Sequence, residues 1–216
     1  MLSKLFRLVG NTKNMYSLSM NPQESFRIIS VTGAHSSVGK TTLCALLLNC
    51  LNNFGAIKFT KTDTFTSISD DPETILQKDK DTAIMSEAGA NRVVWIQSPH
   101  DSLEDALHIA SLKMEGLDGM VVEGNSPVDF INPHLIIFII GPDGQIKESA
   151  KKVIKLADII VINSGEKPDD PNSIASEITS STETKKEIFW IDLLNHEGEI
   201  DKFLACVEKK LPKRLN

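Results

Sequence analysis

The chain reads FRIISVTGAHSSVGKTTLCALLLNCL from residue 26 to residue 51. Apolar residues dominate the first part of this stretch, which predicts a buried β-strand over residues 26–32. A loop bounded by two glycines follows over residues 33–39. Leu43 and the apolar residues after it recur at helical spacing, so we predict an amphipathic helix that begins at Lys40. The order strand, glycine-containing loop and helix is the frame for interpreting the remaining chain.

The loop matches the Walker A spacing if Ala34 takes the place of the first glycine. Small residues let backbone N–H groups point at phosphate oxygens, and the start of the following helix attracts the same anion. Lys40 can reach the β- and γ-phosphates, and the Thr41 hydroxyl can ligate Mg²⁺. His35 is interpreted as presenting its backbone N–H rather than as a catalyst. A turn without a ligand is the alternative. The predicted nucleotide-binding residues here are Gly33, Ala34, His35, Ser36, Ser37, Val38, Gly39, Lys40, Thr41 and Thr42.

The composition is that of an ordinary globular protein. The 216 residues are 41% hydrophobic and 24% charged, enough for one α/β domain with a sizeable core. The net charge of −6, without a basic block, argues against nucleic acid as a partner. No apolar run approaches the ~18 residues of a membrane span, so we expect no membrane partner. The three cysteines form no Cys-x-x-Cys pair and predict reduced thiols in a cytoplasmic protein.

The first part of the chain differs in composition from the rest. We predict a flexible tail over residues 1–23 and a single domain over residues 24–216, since the tail has basic residues but no acid before Glu24. The tail is loosely like a transit peptide but lacks its Arg-rich, Ser-rich character. A start codon placed upstream of the true one is an alternative, with Met15 or Met20 as the true start.

Strand and helix patterns alternate along the domain. This alternation predicts an α/β fold of the P-loop NTPase type, with three layers, a mostly parallel central sheet and helices on both faces. Further strands are predicted over residues 56–60, 92–97, 119–124, 135–140, 159–163 and 187–193. Further helices are predicted over residues 82–88, 103–114, 173–179 and 199–211, and one more helix is predicted to end at about residue 156.

Two carboxylates are candidates for catalysis and metal binding. Glu123 ends an apolar strand, where P-loop proteins place the acid that holds Mg²⁺ or its water. Asp63 lies just past the second predicted strand, where a loop can fold back over the γ-phosphate. Either residue could instead be a solvated acid. With Lys40 they form the predicted catalytic set, and with Thr41 they form the predicted Mg²⁺ set.

Residues 57–63, 80–82, 87–90 and 117–124 resemble segments of the molybdopterin-guanine dinucleotide biosynthesis protein B (MobB) family. The resemblance implies a small nucleotide-binding protein, commonly a homodimer, with weak GTPase activity. It also implies a role in molybdenum cofactor maturation, with a cofactor-biosynthesis enzyme as a possible partner. The chain departs from the family where histidines are replaced by Phe59, Lys61 and Thr62.

The loop itself looks more like those of dethiobiotin synthetase and cobyrinic acid a,c-diamide synthase. That resemblance implies an ATP-dependent ligase or kinase acting on a small molecule, with Lys58, Lys61 and residues 125–126 near the substrate. The first hypothesis is nevertheless an accessory NTPase that hydrolyses ATP or GTP slowly. A nucleotide-dependent adaptor with negligible turnover is the third.

The sequence gives the least information about which base the nucleotide carries. Residues 157–163 resemble the strand before the guanine-reading Asn-Lys-x-Asp motif of GTPases, but Ser164, Gly165 and Glu166 follow, so the Lys and Asp are missing. We predict that Asn163 contacts the base, because its amide offers both a donor and an acceptor. ATP and GTP both stay open.

Overall fold

A computed structural model describes residues 26–170 and 186–213 of the chain. The tail predicted over residues 1–23 and the helix predicted over residues 173–179 lie outside the described residues. The division of the chain into tail and domain therefore stays a prediction.

The described residues form one nine-stranded sheet. The strands are β1 Arg27–Gly33, β2 Phe54–Lys61, β3 Ser67–Ser69, β4 Val93–Ser98, β5 Gly119–Glu123, β6 Leu135–Ile140, β7 Ile159–Asn163, β8 Glu187–Asp192 and β9 Glu197–Gly198. Their order across the sheet is β3-β4-β2-β5-β1-β6-β7-β8-β9. In this order all pairs from β4 to β8 are parallel, whereas the two edge strands, β3 and β9, are antiparallel to their neighbours. The predicted mostly parallel sheet is confirmed.

Six α-helices are described, and the longest of them have 11 residues. In the part of the chain that the structure covers, no helix has the length and apolar character needed to span a membrane. The helices are α1 Lys40–Cys50, α2 Pro72–Ile75, α3 Asp81–Glu87, α4 Leu103–Leu112, α5 Lys151–Leu156 and α6 Ile200–Lys210.

The helices cover both faces of the sheet, as predicted. On one face, Ile29 and Val31 of β1 share a core cluster with buried residues of α1, α2, α3 and α6. On the other face, Ile28 packs in a cluster with α4, and Phe138 and Ile140 of β6 pack in a cluster with α5. Strands buried on both faces are expected to be hydrophobic at nearly every position, which explains the sequence LIIFII of β6.

Helix α2 lies in a segment where the sequence pattern predicts neither a helix nor a strand. Asp71 caps it, because its Oδ2 accepts a hydrogen bond from the Thr74 backbone N–H at 3.1 Å. Pro72 follows as the first helical residue, a position that proline favours. The helix has only four residues, too few to show a helical period in the sequence.

We expect Gly119→Ala to destabilise the fold, because β5 lies between β1 and β2. An added Cβ would overlap the Arg27 backbone oxygen and lie 2.6 Å from the Phe54 ring. The expected loss is about 1–3 kcal/mol of unfolding free energy, measured by denaturant titration. The control is Gly165→Ala, where the nearest atom would be at 3.7 Å. Equal stability of the two variants would contradict this packing.

Candidate functional site

The loop between β1 and α1 has a tightly packed backbone. Gly39 has a φ of +106°, in the left-handed region that side chains disfavour. A Cβ added to Gly39 would lie 2.7 Å from Asn163 Nδ2, and one added to Gly33 would lie 2.8 Å from a Val38 methyl carbon. Close approach therefore favours glycine at both positions, and the left-handed backbone and the motif favour it at Gly39 as well.

Lys40 lies across this loop. Its ammonium donates a hydrogen bond to the His35 backbone oxygen at 2.7 Å. Burial lowers the pKa of Lys40, and the nearby Glu123 charge partly opposes this effect. The only protein acceptor described for this ammonium is a neutral carbonyl, so the positive charge is available to an anion in the loop.

Glu123 ends β5 and is only 2% exposed, so it does not face solvent. In the sheet register it lies opposite Val31 of β1 and Lys58 of β2. Its Oε2 accepts a hydrogen bond from the Thr41 hydroxyl at 3.0 Å, and its Oε1 accepts one from the Lys58 ammonium at 2.6 Å. The predicted pair Thr41 and Glu123 is therefore in direct contact, together with a lysine.

Lys58 bridges Glu123 to a second carboxylate, Asp81. The Lys58 Nζ lies 2.5 Å from Asp81 Oδ2. Burial alone would lower the pKa of Lys58, but Glu123 and Asp81 outweigh burial and raise it. Burial would raise the pKa of Asp81, but the hydrogen bond and the positive charge of Lys58 lower it. Lys58, Thr41, Glu123 and Asp81 form one cluster, which we call the lysine–carboxylate cluster.

Asp81, rather than the predicted Asp63, is the second acid of this cluster. Asp63 is exposed two residues beyond β2, and no hydrogen bond or ion pair of Asp63 is described. A catalytic role for Asp63 stays a prediction. Asp81 lies in residues 80–82, one of the segments that resemble MobB, and this resemblance could have marked it as a site residue. Its position in the sequence does not show that it contacts Lys58.

Two asparagine side chains from neighbouring segments of the chain form hydrogen bonds with the loop backbone. Asn163 donates to the Val38 backbone oxygen at 3.0 Å and accepts from the Leu193 N–H at 3.1 Å. Asn125 accepts from the Gly33 N–H and donates to the Gly33 oxygen, both at 2.9 Å. Asn125 thus contacts the loop backbone and braces it, a role that no pattern in the sequence indicates. A contact between Asn163 and a base stays a prediction.

A cleft of about 590 Å³ opens over the loop. Six of the ten nucleotide-binding residues predicted around the loop line it directly, as does Glu123, whereas Gly33, Ala34 and Val38 are buried. The cleft also contains the exposed side chain of Ile84. The residues that line it are Ser36, Ser37, Gly39, Lys40, Thr41, Thr42, Lys58, Phe59, Thr60, Asp81, Ile84, Glu123 and Gly124.

The donor groups in the cleft fit Mg²⁺ that arrives with a nucleotide. A hydroxyl and two carboxylates are hard oxygen donors, and Mg²⁺ commonly takes one or two carboxylates together with substrate phosphates. Within the described ranges, no three His, Cys, Asp or Glu side chains form a ready-made metal site. The Lys58 ammonium already occupies a cationic position beside Glu123. The site therefore holds a cation between two carboxylates, and in this structure that cation is the Lys58 ammonium between Glu123 and Asp81.

Comparison with known proteins identifies the fold. No protein-family model and no curated protein matches the sequence. Among solved structures, HypB from Helicobacter pylori in complex with nickel is 14% identical, with 87% of this chain and 88% of that chain covered and a TM-score of 0.53. The hydrogenase maturation factor HypB from Archaeoglobus fulgidus is 13% identical, with coverage of 87% and 91% and the same TM-score. These similarities, with the loop geometry, show that the chain has the α/β fold of P-loop NTPases.

Proposed function

We propose that the protein binds a nucleoside triphosphate with Mg²⁺ in this cleft and hydrolyses it slowly. One observation carries the proposal. The Thr41 hydroxyl, which follows the glycine loop, donates to the buried Glu123 carboxylate from the neighbouring strand at 3.0 Å. A hydroxyl and an acid in this relation are the groups that P-loop NTPases use beside the phosphates.

Each group of the site has a distinct part in this function. The backbone N–H groups of the loop and of the first turn of α1 bind phosphate oxygens. Lys40 supplies positive charge to the β- and γ-phosphates. Thr41 and Glu123 would hold the metal ion, directly or through its water. Bound Mg²⁺ supplies charge neutralisation on the transferred phosphoryl group.

An accessory role in molybdenum cofactor biosynthesis is the finer proposal. The segments that resemble MobB support it, and they include Lys58, Asp81 and Glu123 of the lysine–carboxylate cluster. A cofactor-biosynthesis enzyme and a homodimer are the partners it entails. The nucleotide is ATP or GTP, and thermal stabilisation by each, compared at equal concentration, distinguishes them. A ligase or kinase acting on a small molecule is the second candidate. It is favoured by a smaller cavity of about 190 Å³ that is lined by Lys58 and lies beside the cleft.

We expect Lys40→Ala to remove most nucleotide binding, because its charge meets phosphate in a partly buried loop. In the parent protein, a nucleotide at about 100 times its Kd should add about 2.7 kcal/mol to stability. The variant should show little of this increase in a thermal shift assay with Mg²⁺. Lys202→Ala, on α6, is the control and should behave like the parent. Equal stabilisation of Lys40→Ala and the parent would refute the P-loop site.

We expect Glu123→Gln to affect turnover more than nucleotide affinity. The amide keeps the shape but loses the charge that aligns the metal in the transition state. Affinity should stay within about tenfold of the parent, or 1.4 kcal/mol, while Mg²⁺-dependent phosphate release falls by about a hundredfold or more. The exposed Glu87→Gln is the control. Full activity of Glu123→Gln would show that this acid is a bystander.

The same phosphate-release assay compares the two other acids. From the position of Asp63 in the sequence, we expect Asp63→Asn to reduce turnover as Glu123→Gln does, but by less. From the contacts of the lysine–carboxylate cluster, we expect Asp81→Asn to reduce turnover as well. A loss in only one variant shows which residue supplies the second carboxylate.

We expect Lys58→Met to destabilise the protein when Mg²⁺ is absent. The change leaves the buried Glu123 carboxylate without a cation, which costs about 3 kcal/mol. Mg²⁺ alone, without nucleotide, should raise the Tm of this variant more than that of the parent, since it can replace the lost charge. The exposed Lys61→Met, on the same strand, should show neither effect. A Tm of Lys58→Met that does not respond to Mg²⁺ would contradict a cation position at this cluster.

A further inference from the structure

A second, smaller cavity adjoins the nucleotide cleft. Its volume is about 190 Å³, below the roughly 300–1,000 Å³ of pockets for drug-sized ligands, so its occupant is small. Three of its residues also line the cleft, so the two spaces share a wall. The residues that line this side cavity are Lys58, Thr60, Lys80, Asp81, Thr82 and Trp95.

The side cavity offers hydrogen-bond donors that have no described partner. The Trp95 indole N–H donates to the Thr60 hydroxyl at 3.0 Å, which leaves the Thr60 hydrogen for another acceptor. An ammonium has three N–H groups, and Lys58 gives one to Glu123 and one to Asp81. The ammonium of the exposed Lys80 has no hydrogen bond or ion pair among the contacts described for residues 26–170 and 186–213.

The carboxylate of the side cavity is offset by an ammonium, and one of its hydroxyl hydrogens is already used. The Asp81 carboxylate is paired with Lys58. The Thr82 hydroxyl is buried and donates to the Ile75 backbone oxygen at 2.7 Å. The open donor hydrogens of Thr60, Lys58 and Lys80 match a ligand with acceptors and negative charge, and the Trp95 indole provides an apolar wall for its body.

We propose that the side cavity binds a small organic oxyanion, a carboxylate or a phosphate monoester with a compact apolar body, as the second ligand of the nucleotide site. The position of this ligand beside a phosphate rests on the proposed function. Lys58 lines both spaces, so its ammonium lies between the two anions and reduces their repulsion.

The test uses the two tryptophans of the full chain as reporters. Only Trp95 lines the side cavity, and Trp190→Phe assigns the two indole N–H signals in ¹⁵N-labelled protein. Benzoate, phenyl phosphate and neutral benzamide are titrated with and without a saturating non-hydrolysable ATP or GTP analogue. We expect at least one of the two anions to move the Trp95 signal saturably, at least tenfold more tightly than benzamide, without moving the Trp190 signal.

Variants locate the charge that binds the anion. Lys80→Met keeps the aliphatic stem but removes the ammonium, and it should weaken binding of the anion at least fivefold. Lys78→Met, an exposed neighbour outside the cavity lining, should leave it unchanged. A response to benzoate alone identifies a carboxylate ligand, and a response to phenyl phosphate alone identifies a phosphate ligand.

Three outcomes would overturn this inference. They are a Trp95 signal that neither anion moves, an equal response to benzamide, and unchanged affinity in Lys80→Met. Failure of the nucleotide proposal is observed separately, because the nucleotide analogue then stabilises neither the parent nor any variant. The titration without nucleotide still tests the side cavity in that case.

Discussion

The buried charge of Glu123 is the constraint on which the site depends. A carboxylate that is 2% exposed must be paired and hydrogen-bonded, since an unpaired buried charge is costly. Its two oxygens accept from Lys58 at 2.6 Å and from Thr41 at 3.0 Å. These partners belong to β2 and α1, and Glu123 itself ends β5. Satisfying one carboxylate therefore fixes two central strands and the helix after the loop relative to one another.

The loop conformation is held by side-chain amides on either side of it. Asn125, after β5, binds both backbone groups of Gly33, and Asn163, at the end of β7, binds the Val38 oxygen. Both asparagines lie at the carboxyl ends of strands of the parallel sheet, so their positions are set by the same sheet that positions Glu123. A loop held in this way has its backbone N–H groups ordered before a ligand arrives, which reduces the entropic cost of binding.

Local patterns in the sequence predict the fold and part of the site. Strand, loop and helix over residues 26–51 are adjacent in the chain, and parallel strands bring their carboxyl ends to one edge, so the proximity of Thr41 and Glu123 follows from topology. The cluster with Asp81 does not follow in this way. Asp63 and Asp81 both come after β2, and only the path of the chain through β3 and α2 determines which one returns to Lys58. Strand β3 and helix α2 are too short for a periodic signal.

The two lysines in the cleft differ in what holds them, which separates their chemical roles. Lys58 is bound by two carboxylates, which raise its pKa against the effect of burial. Lys40 donates to a neutral carbonyl of the loop, and burial lowers its pKa. Moving Lys40 would break a hydrogen bond to one neutral partner, whereas moving Lys58 would separate it from two charged ones. In the proposed nucleotide complex we therefore expect Lys40 to follow the phosphates, while Lys58 keeps the two carboxylates and the shared wall of the two cavities in place.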